Sequence, residues 1–392
     1  MKCLDRADKR INLPCSLILT KEGANYMSGS GLKMKAVKNH MGINHDGIES
    51  TGYNAETLQK LVMNSYLEEL FVAAPELLNK RYEIISTNNL IIFAILYRKL
   101  SPSVWDVFSK SSVVKDFNRK NPKNSIVSLD QFNNTAFKNL MESKKREFDG
   151  VKQDLLIEVM KLIQMSTEFS EEDKNSQMQC LDKFVAWIDD RIWYIFYIIC
   201  RTDLKDAILA DFGAIVADYL KKTQIAVHLS NLLMELIQNA EKSHMERLII
   251  RNNLAEAGEI NTFLRKSLHR ERICEIAKRN NDNIILAWTV NQENSTVGHK
   301  YKIHISVIYH SIVDEIAQDV INQKMHANVE GISIAEFYSG NSENDENIDQ
   351  GLGMLYHSYL EDHCRKEKIN YNCNIIPDTR NEKTTVSLDI TL

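Results

Sequence analysis

Between Pro122 and Pro377 the chain contains no proline. Proline removes a backbone donor and clashes with the preceding turn, so its absence over most of a 392-residue sequence permits long unbroken helices. Apolar residues in this interval recur at helical spacing. VKQDLLIEVMKLIQM sets Val151, Leu155, Ile157, Val159, Leu162 and Ile163 near one side. QCLDKFVAWIDDRIWYIFYIIC and DLKDAILADFGAIVADYLKK continue the pattern, with Asp203 as a cap for the second. Residues 135–222 therefore read as a succession of amphipathic helices.

The chain is long enough for two or three domains at about 150 residues each. With 44% hydrophobic and 26% charged residues it can bury substantial cores, and its net charge of −5 gives no pull toward nucleic acid or anionic membrane. Seven cysteines, odd in number and without a C-x-x-C pair, argue against a disulfide framework and against a zinc knuckle, which implies a reducing, cytoplasmic setting. The start MKCLDRADKRINLPC has no signal-peptide core. The apolar runs LIIFAILY (90–97) and IWYIFYIIC (192–200) are far shorter than the ~20 residues that span a bilayer. They are expected as buried core, with no membrane span.

Residues 1–50 are glycine-rich and weakly patterned, and read as a loop-rich arm. "MSGSGLKMK" lacks the G-x-x-x-x-G-K-[ST] spacing of a phosphate loop. Residues 51–134 form an N-terminal domain of uncertain fold. Asn54 caps a helix there whose pattern runs through Leu58, Leu61, Val62, Tyr66, Leu70 and Phe71, while 82–130 fits strands or short helices. Beyond residue 223 come a helix at 231–242, another at 254–280, strands at 283–290 and 301–309, a helix at 314–326, and a polar acidic loop at 331–350. A helix opening at "GLGM" and strands at 370–376 and 384–392 close the chain.

The helix NLLMELIQNAEK poses a chemical question. At 100° per residue Asn231, Glu235, Asn239 and Lys242 share a narrow sector, opposite Leu229, Leu233, Leu236, Ile237 and Ala240. Asparagine is a mediocre helix former, so two of them at this spacing suggest a purpose. A carboxylate, a carboxamide and an ammonium together suit a hydrated magnesium ion, an activated water and a phosphate.

M-E-L-I-Q-N-A-E-K resembles the asparagine box of the GHKL ATPase superfamily, which includes sensor histidine kinases, gyrase, Hsp90 and MutL. Glu235, Leu236, Asn239, Ala240 and Lys242 match at the family spacing. "GLGM" (351–354) is similar to the second glycine box of the histidine kinases, and KTTVSLDITL to their closing threonine-containing strand. The resemblance covers residues 223–392. It implies an α+β protein, with a mainly helical N-terminal and central region followed by a GHKL-type α/β sandwich, a mixed sheet packed on helices. By position Asn239 would ligate magnesium, Glu235 would orient or deprotonate water or assist phosphotransfer, and Lys242 would approach phosphate. Gly351 and Gly353 would cradle phosphate at a helix N-terminus. Thr384 would lie near the adenine of ATP. The helices at 135–222 stand where histidine kinases have their dimerisation hairpin, which implies a homodimer by analogy.

The sequence also departs from that family. Its first glycine box, D-x-G-x-G, should follow the strand ending near Val307. Here Tyr309 stands at the adenine-reading aspartate, and Ser311 and Val313 replace the glycines. A hydrogen bond to a charged acceptor, about 1.5–3 kcal/mol, is thereby lost. No histidine occurs between residues 135 and 227 to serve as a phosphoacceptor, and His228 lies on the asparagine-box helix itself. The expectation is a two-component-type signalling protein, a pseudo-kinase with a degenerate nucleotide pocket that acts by binding a response regulator or sensor component. The alternatives are an active ATP- and Mg-dependent ATPase or kinase, and a helical scaffold.

Other signals read as structure. Arg265, Lys266, His269, Arg270 and Arg272 form a solvated basic face balanced by Glu271 and Glu275. His357, His363, Cys364 and Cys373 fit no zinc spacing, and His299, His304 and His310 read as surface. No Ser-His-Asp triad follows from spacing.

Overall fold

The computed structural model describes residues 10–167, 171–256, 259–295, 298–311 and 353–392. The first elements are β1 (Arg10–Ile11), β2 (Cys15–Leu19), α1 (Lys21–Gly29), β3 (Lys35–Lys38), β4 (Asn44–Ser50), β5 (Tyr53–Asn54), α2 (Ala55–Met63) and β6 (Leu67–Ala74). The expected loop-rich arm at 1–50 is thus corrected across its described part. Its glycines punctuate regular structure: Gly31 and Gly42 turn the chain at φ +84°. A Cβ on Gly23 would stand 2.3 Å from the Tyr66 carbonyl oxygen, so α1 meets its neighbour at a distance only glycine allows. Asn54 caps α2, its side chain accepting from the Glu56 amide. The helix stops at Met63, because Ser65 turns left-handed at φ 55° and residues 67–74 become strand. The expected helix through Tyr66, Leu70 and Phe71 is corrected accordingly.

Helices follow: α3 (Arg81–Ser109), α4 (Ser112–Lys120), α5 (Thr135–Ser143), α6 (Lys145–Met165), α7 (Glu171–Ala186), α8 (Asp190–Cys200), α9 (Lys205–Lys221), α10 (Gln224–Arg251), α11 (Ile260–Leu264) and α12 (Ser267–Asn280). The undecided 82–130 region is therefore helical up to Lys120, and the expected 254–280 helix is two shorter ones. The chain closes with β7 (Ile284–Ser295), β8 (Gly298–His310), α13 (Gly353–Lys366), β9 (Asn370–Asp378) and β10 (Lys383–Thr391). The helix expected at 314–326, the loop at 331–350 and Gly351 lie outside the described residues.

The protein is α+β and its described residues divide into two units, one of Phe93–Gln224 and the other of residues 10–92 together with Ile225–Leu392. The 51–134 segment is split between them, and the helical unit begins well before residue 135. In the helical unit, rings converge on Phe212, which meets Phe108, Trp193 and Phe196 at centroid distances of 5.4, 5.6 and 4.9 Å. The run 192–200 is buried on most positions, as expected of core, and Lys120 rather than a capped backbone receives Asp203, at 2.6 Å.

The other unit holds an eight-stranded sheet in the order β3-β4-β2-β6-β7-β8-β10-β9. Every described pairing is antiparallel, which corrects the expected mixed sheet; β7 and β8, and β9 and β10, are sequence neighbours that pair directly. One sheet face is continuously apolar across β7, β8 and β10: Leu286, Trp288, Ile303, Ile305, Val307, Leu388 and Ile390 are all buried. Buried polar residues pin this face to the first half of α3 and to α10. Asn88 donates to Ser230 at 2.9 Å, Ser230 donates to Asn89 at 3.0 Å, and the Trp288 indole donates to Asn88 Oδ1 at 3.3 Å. Among the described residues no helix is long and apolar enough to cross a membrane.

Candidate functional site

The residues singled out on the helix at 231–242 lie on α10 as the helical period dictates. Leu229, Leu233, Leu236, Ile237 and Ala240 are buried, while Asn231, Glu235 and Lys242 are half-buried and Asn239 is exposed. Burial raises the Glu235 carboxyl above its ordinary range, partly offset by the Arg81 guanidinium. Among the described residues no hydrogen bond or ion pair joins Glu235, Asn239 or Lys242 to one another or to Thr384. Gly353 opens α13 at its first residue.

Thr384 is fully buried in β10. Its register partner in β8 is Tyr309. Both point to the apolar face, where Tyr309 is 6% exposed. The Thr384 hydroxyl donates to the Ser311 carbonyl at 2.7 Å. Burial pushes the Tyr309 phenol up, while the adjoining Thr384 hydroxyl draws it down. Tyr309 is thus an aromatic ring packed beside a hydroxyl already engaged with backbone.

A family model described as a family of unknown function (DUF8084) matches residues 6–392. The chain belongs to that family. A relative described as an uncharacterized protein of Treponema pallidum (strain Nichols) is 24% identical over 381 residues, spanning 96% of this chain and 97% of its own length. No solved structure matches.

This DUF8084 chain also carries three polar clusters that the sequence reading missed. The first surrounds Glu241, 2% exposed on the apolar side of α10. Its Oε1 accepts the Leu77 and Leu78 amides, the latter at 2.7 Å, and so ends the chain that leaves β6. Arg270, 42% exposed on the otherwise solvated face of α12, reaches both Glu241 and Glu76, at 3.8 and 3.6 Å. Beside it a cleft of about 220 Å³ is lined by Pro75, Glu76, Leu77, Lys80, Cys274 and Lys278, among others. Burial pushes the Cys274 thiol up to about 11, so it is no thiolate nucleophile at neutral pH.

The second cluster joins three elements: His244 from α10, Asp282 from the turn after α12, and His310 from the end of β8. One ligand-type atom from each lies within 4.8 Å of the others. His310, read as surface from the sequence, is instead in contact with Asp282. Burial lowers the pKa of both imidazoles, against the opposing pull of Asp282.

The third lies on the opposite sheet face. His304 Nδ1 stands 3.0 Å from Asp389 Oδ1, its direct cross-strand partner, and His304 Nε2 stands 2.8 Å from Ser306 Oγ. These are the distances of a Ser-His-Asp relay. Lys302 competes for the same Asp389 oxygen at 3.4 Å. Ser306 is 2% exposed and sits in a central strand paired on both sides, so ladder pairing engages the surrounding amides that would have to form an oxyanion hole. The relay is a cross-strand polar rail without the means to stabilise an acyl-transfer intermediate.

The signal for the first two clusters was present in the sequence. Glu241 and His244 stand four and seven residues after Ile237, at apolar positions of the helical period. A carboxylate and an imidazole at core positions require partners. Those partners come from residues 77–78 and 282–310, which no local pattern connects to the helix.

Proposed function

We propose that this protein is a signalling component on a histidine-kinase-like ATP domain whose base pocket has been closed, and that it acts by binding a protein partner rather than by phosphorylating itself. The observation that carries the reading is the buried Tyr309 opposite Thr384. A phenol at this position offers no carboxylate to an adenine amino group, and the ring is buried among apolar neighbours. The order of elements, with α10 ahead of the β7-β8 hairpin and α13 ahead of the β9-β10 hairpin, supports the reading, while the all-antiparallel pairing departs from the mixed sheet the resemblance implies. The partner class is a response regulator or sensor component, and dimerisation rests on analogy with the kinase hairpin.

A second reading, an active ATP- and Mg-dependent enzyme, is favoured by one feature. Glu235 is a half-buried carboxyl with a raised pKa, which is what a water-activating base on α10 would need. Calorimetric titration of the full chain with ATP and Mg²⁺ separates the two. Silence at millimolar nucleotide is expected. Micromolar binding abolished by Asn239→Ala would replace the first reading with the second.

A further inference from the structure

His244 is 0% exposed and Asp282 is 8% exposed, yet His244 Nδ1, Asp282 Oδ1 and His310 Nδ1 have no hydrogen-bond partner among the described residues. A buried polar atom without a hydrogen bond is costly, about 1–3 kcal/mol, and three residues with such an atom gathered within one cluster require an explanation. His310 Nδ1 and Asp282 Oδ1 face each other as an ion pair. His244 Nε2 is 3.9 Å from the same Asp282 oxygen and 3.3 Å from the Asp282 carbonyl oxygen. Arg247 holds the other carboxylate oxygen, Oδ2, at 3.0 Å, and reaches Glu382 at 3.1 Å. Asp282 is thereby oriented with Oδ1 toward the two imidazoles, as outer hydrogen bonds orient a ligating carboxylate.

We propose that His244, Asp282 and His310 bind one divalent transition-metal ion, with Zn²⁺ the best match to the donor set. Two imidazoles and one carboxylate are borderline nitrogen and oxygen donors, which favour Zn²⁺, Co²⁺ or Ni²⁺ over Mg²⁺ and Ca²⁺. Bonds of about 2.0–2.1 Å in tetrahedral array set donor atoms about 3.3 Å apart. The present separations reach that arrangement if His310 and Asp282 part slightly and His244 closes in, movements within the range of side-chain torsions. Three protein donors leave a fourth position, and His310, with 24% of its side chain exposed, gives water or a ligand access to it. The site draws on α10, the turn before β7 and the end of β8, so metal binding would fasten the helix to the sheet edge. The inference is independent of the nucleotide reading, since it uses the opposite side of α10 from Glu235 and Asn239.

The test uses the full chain, stripped with a chelator and then titrated with Zn²⁺ by calorimetry, with thermal unfolding followed in parallel. One equivalent should bind and raise the melting temperature. Co²⁺ should give visible d–d bands without the near-ultraviolet charge transfer of a thiolate ligand. His310→Ala and Asp282→Asn, both chosen to spare the helix core, should each weaken Zn²⁺ binding at least tenfold, while His304→Ala should leave it unchanged. His244→Ala should do the same as His310→Ala, and if it fails to fold the other two variants still decide. Absence of binding by the intact chain, or stoichiometric binding insensitive to His310→Ala and Asp282→Asn, would overturn the proposal and leave a buried ion pair.

Discussion

Leu70 of β6 is the register partner of Trp288 of β7. Through this pair, strands separated by more than half the chain become neighbours in one sheet. β7 has β6 on one side and β8 on the other, and the Trp288 indole takes Asn88 of α3 as its acceptor. A fragment beginning at residue 223, where the resemblance to the ATPases begins, would lack β6 and α3. It would expose β7 as a long apolar edge and leave Trp288 without its acceptor. Such a fragment should give no cooperative thermal transition and should aggregate, whereas the full chain should melt cooperatively. A soluble 223–392 fragment with dispersed amide NMR signals would show that β6 is dispensable.

Glu241 is the helix residue on which the turn after β6 depends. Replacing it by alanine leaves the Leu77 and Leu78 amides without their acceptor, at a cost of about 1–3 kcal/mol. Glu241→Gln keeps a carbonyl oxygen in the same place and removes a charge whose pKa burial raises. The alanine variant should therefore melt clearly below the parent, and the glutamine variant at or above it. Equal melting temperatures for the two variants would deny the carboxyl its backbone role.

How far the sequence disclosed this architecture can be judged from individual residues. The strands holding Ile303, Ile305 and Val307, the capping of α2 by Asn54 and the two faces of α10 were legible, because each is a local period or a local hydrogen bond. The ending of α2 was not: Leu70 and Phe71 continue a helical spacing by accident, and the left-handed Ser65 that interrupts it has no strong signature. The antiparallel course of the sheet and the merging of residues 15–74 with 284–391 depend on long-range pairing, which no window of sequence contains. The same holds for the site. Glu235, Asn239 and Lys242 could be placed on one flank by arithmetic, but the Tyr309–Thr384 pairing and the approach of Asp282 to His310 required the register.

Burial of the Glu235 carboxyl should leave a pH signature in stability. Its folded-state pKa lies above the ordinary value of 4.5, chiefly through burial. Between the unfolded and folded values the native state holds more protons, so stability falls as pH rises through that window and stays lower above it. Glu235→Gln removes the ionisation while preserving size. The variant should be more stable than the parent at pH 7, and its advantage should vanish as pH drops below about 4.5, where the parent is protonated in both states. Thermal unfolding of the two proteins across this range reads the difference directly. A Glu235→Gln protein that is less stable than the parent at neutral pH would mean that the carboxylate has a favourable partner, and the reading of Glu235 as a water-activating base would fall with it.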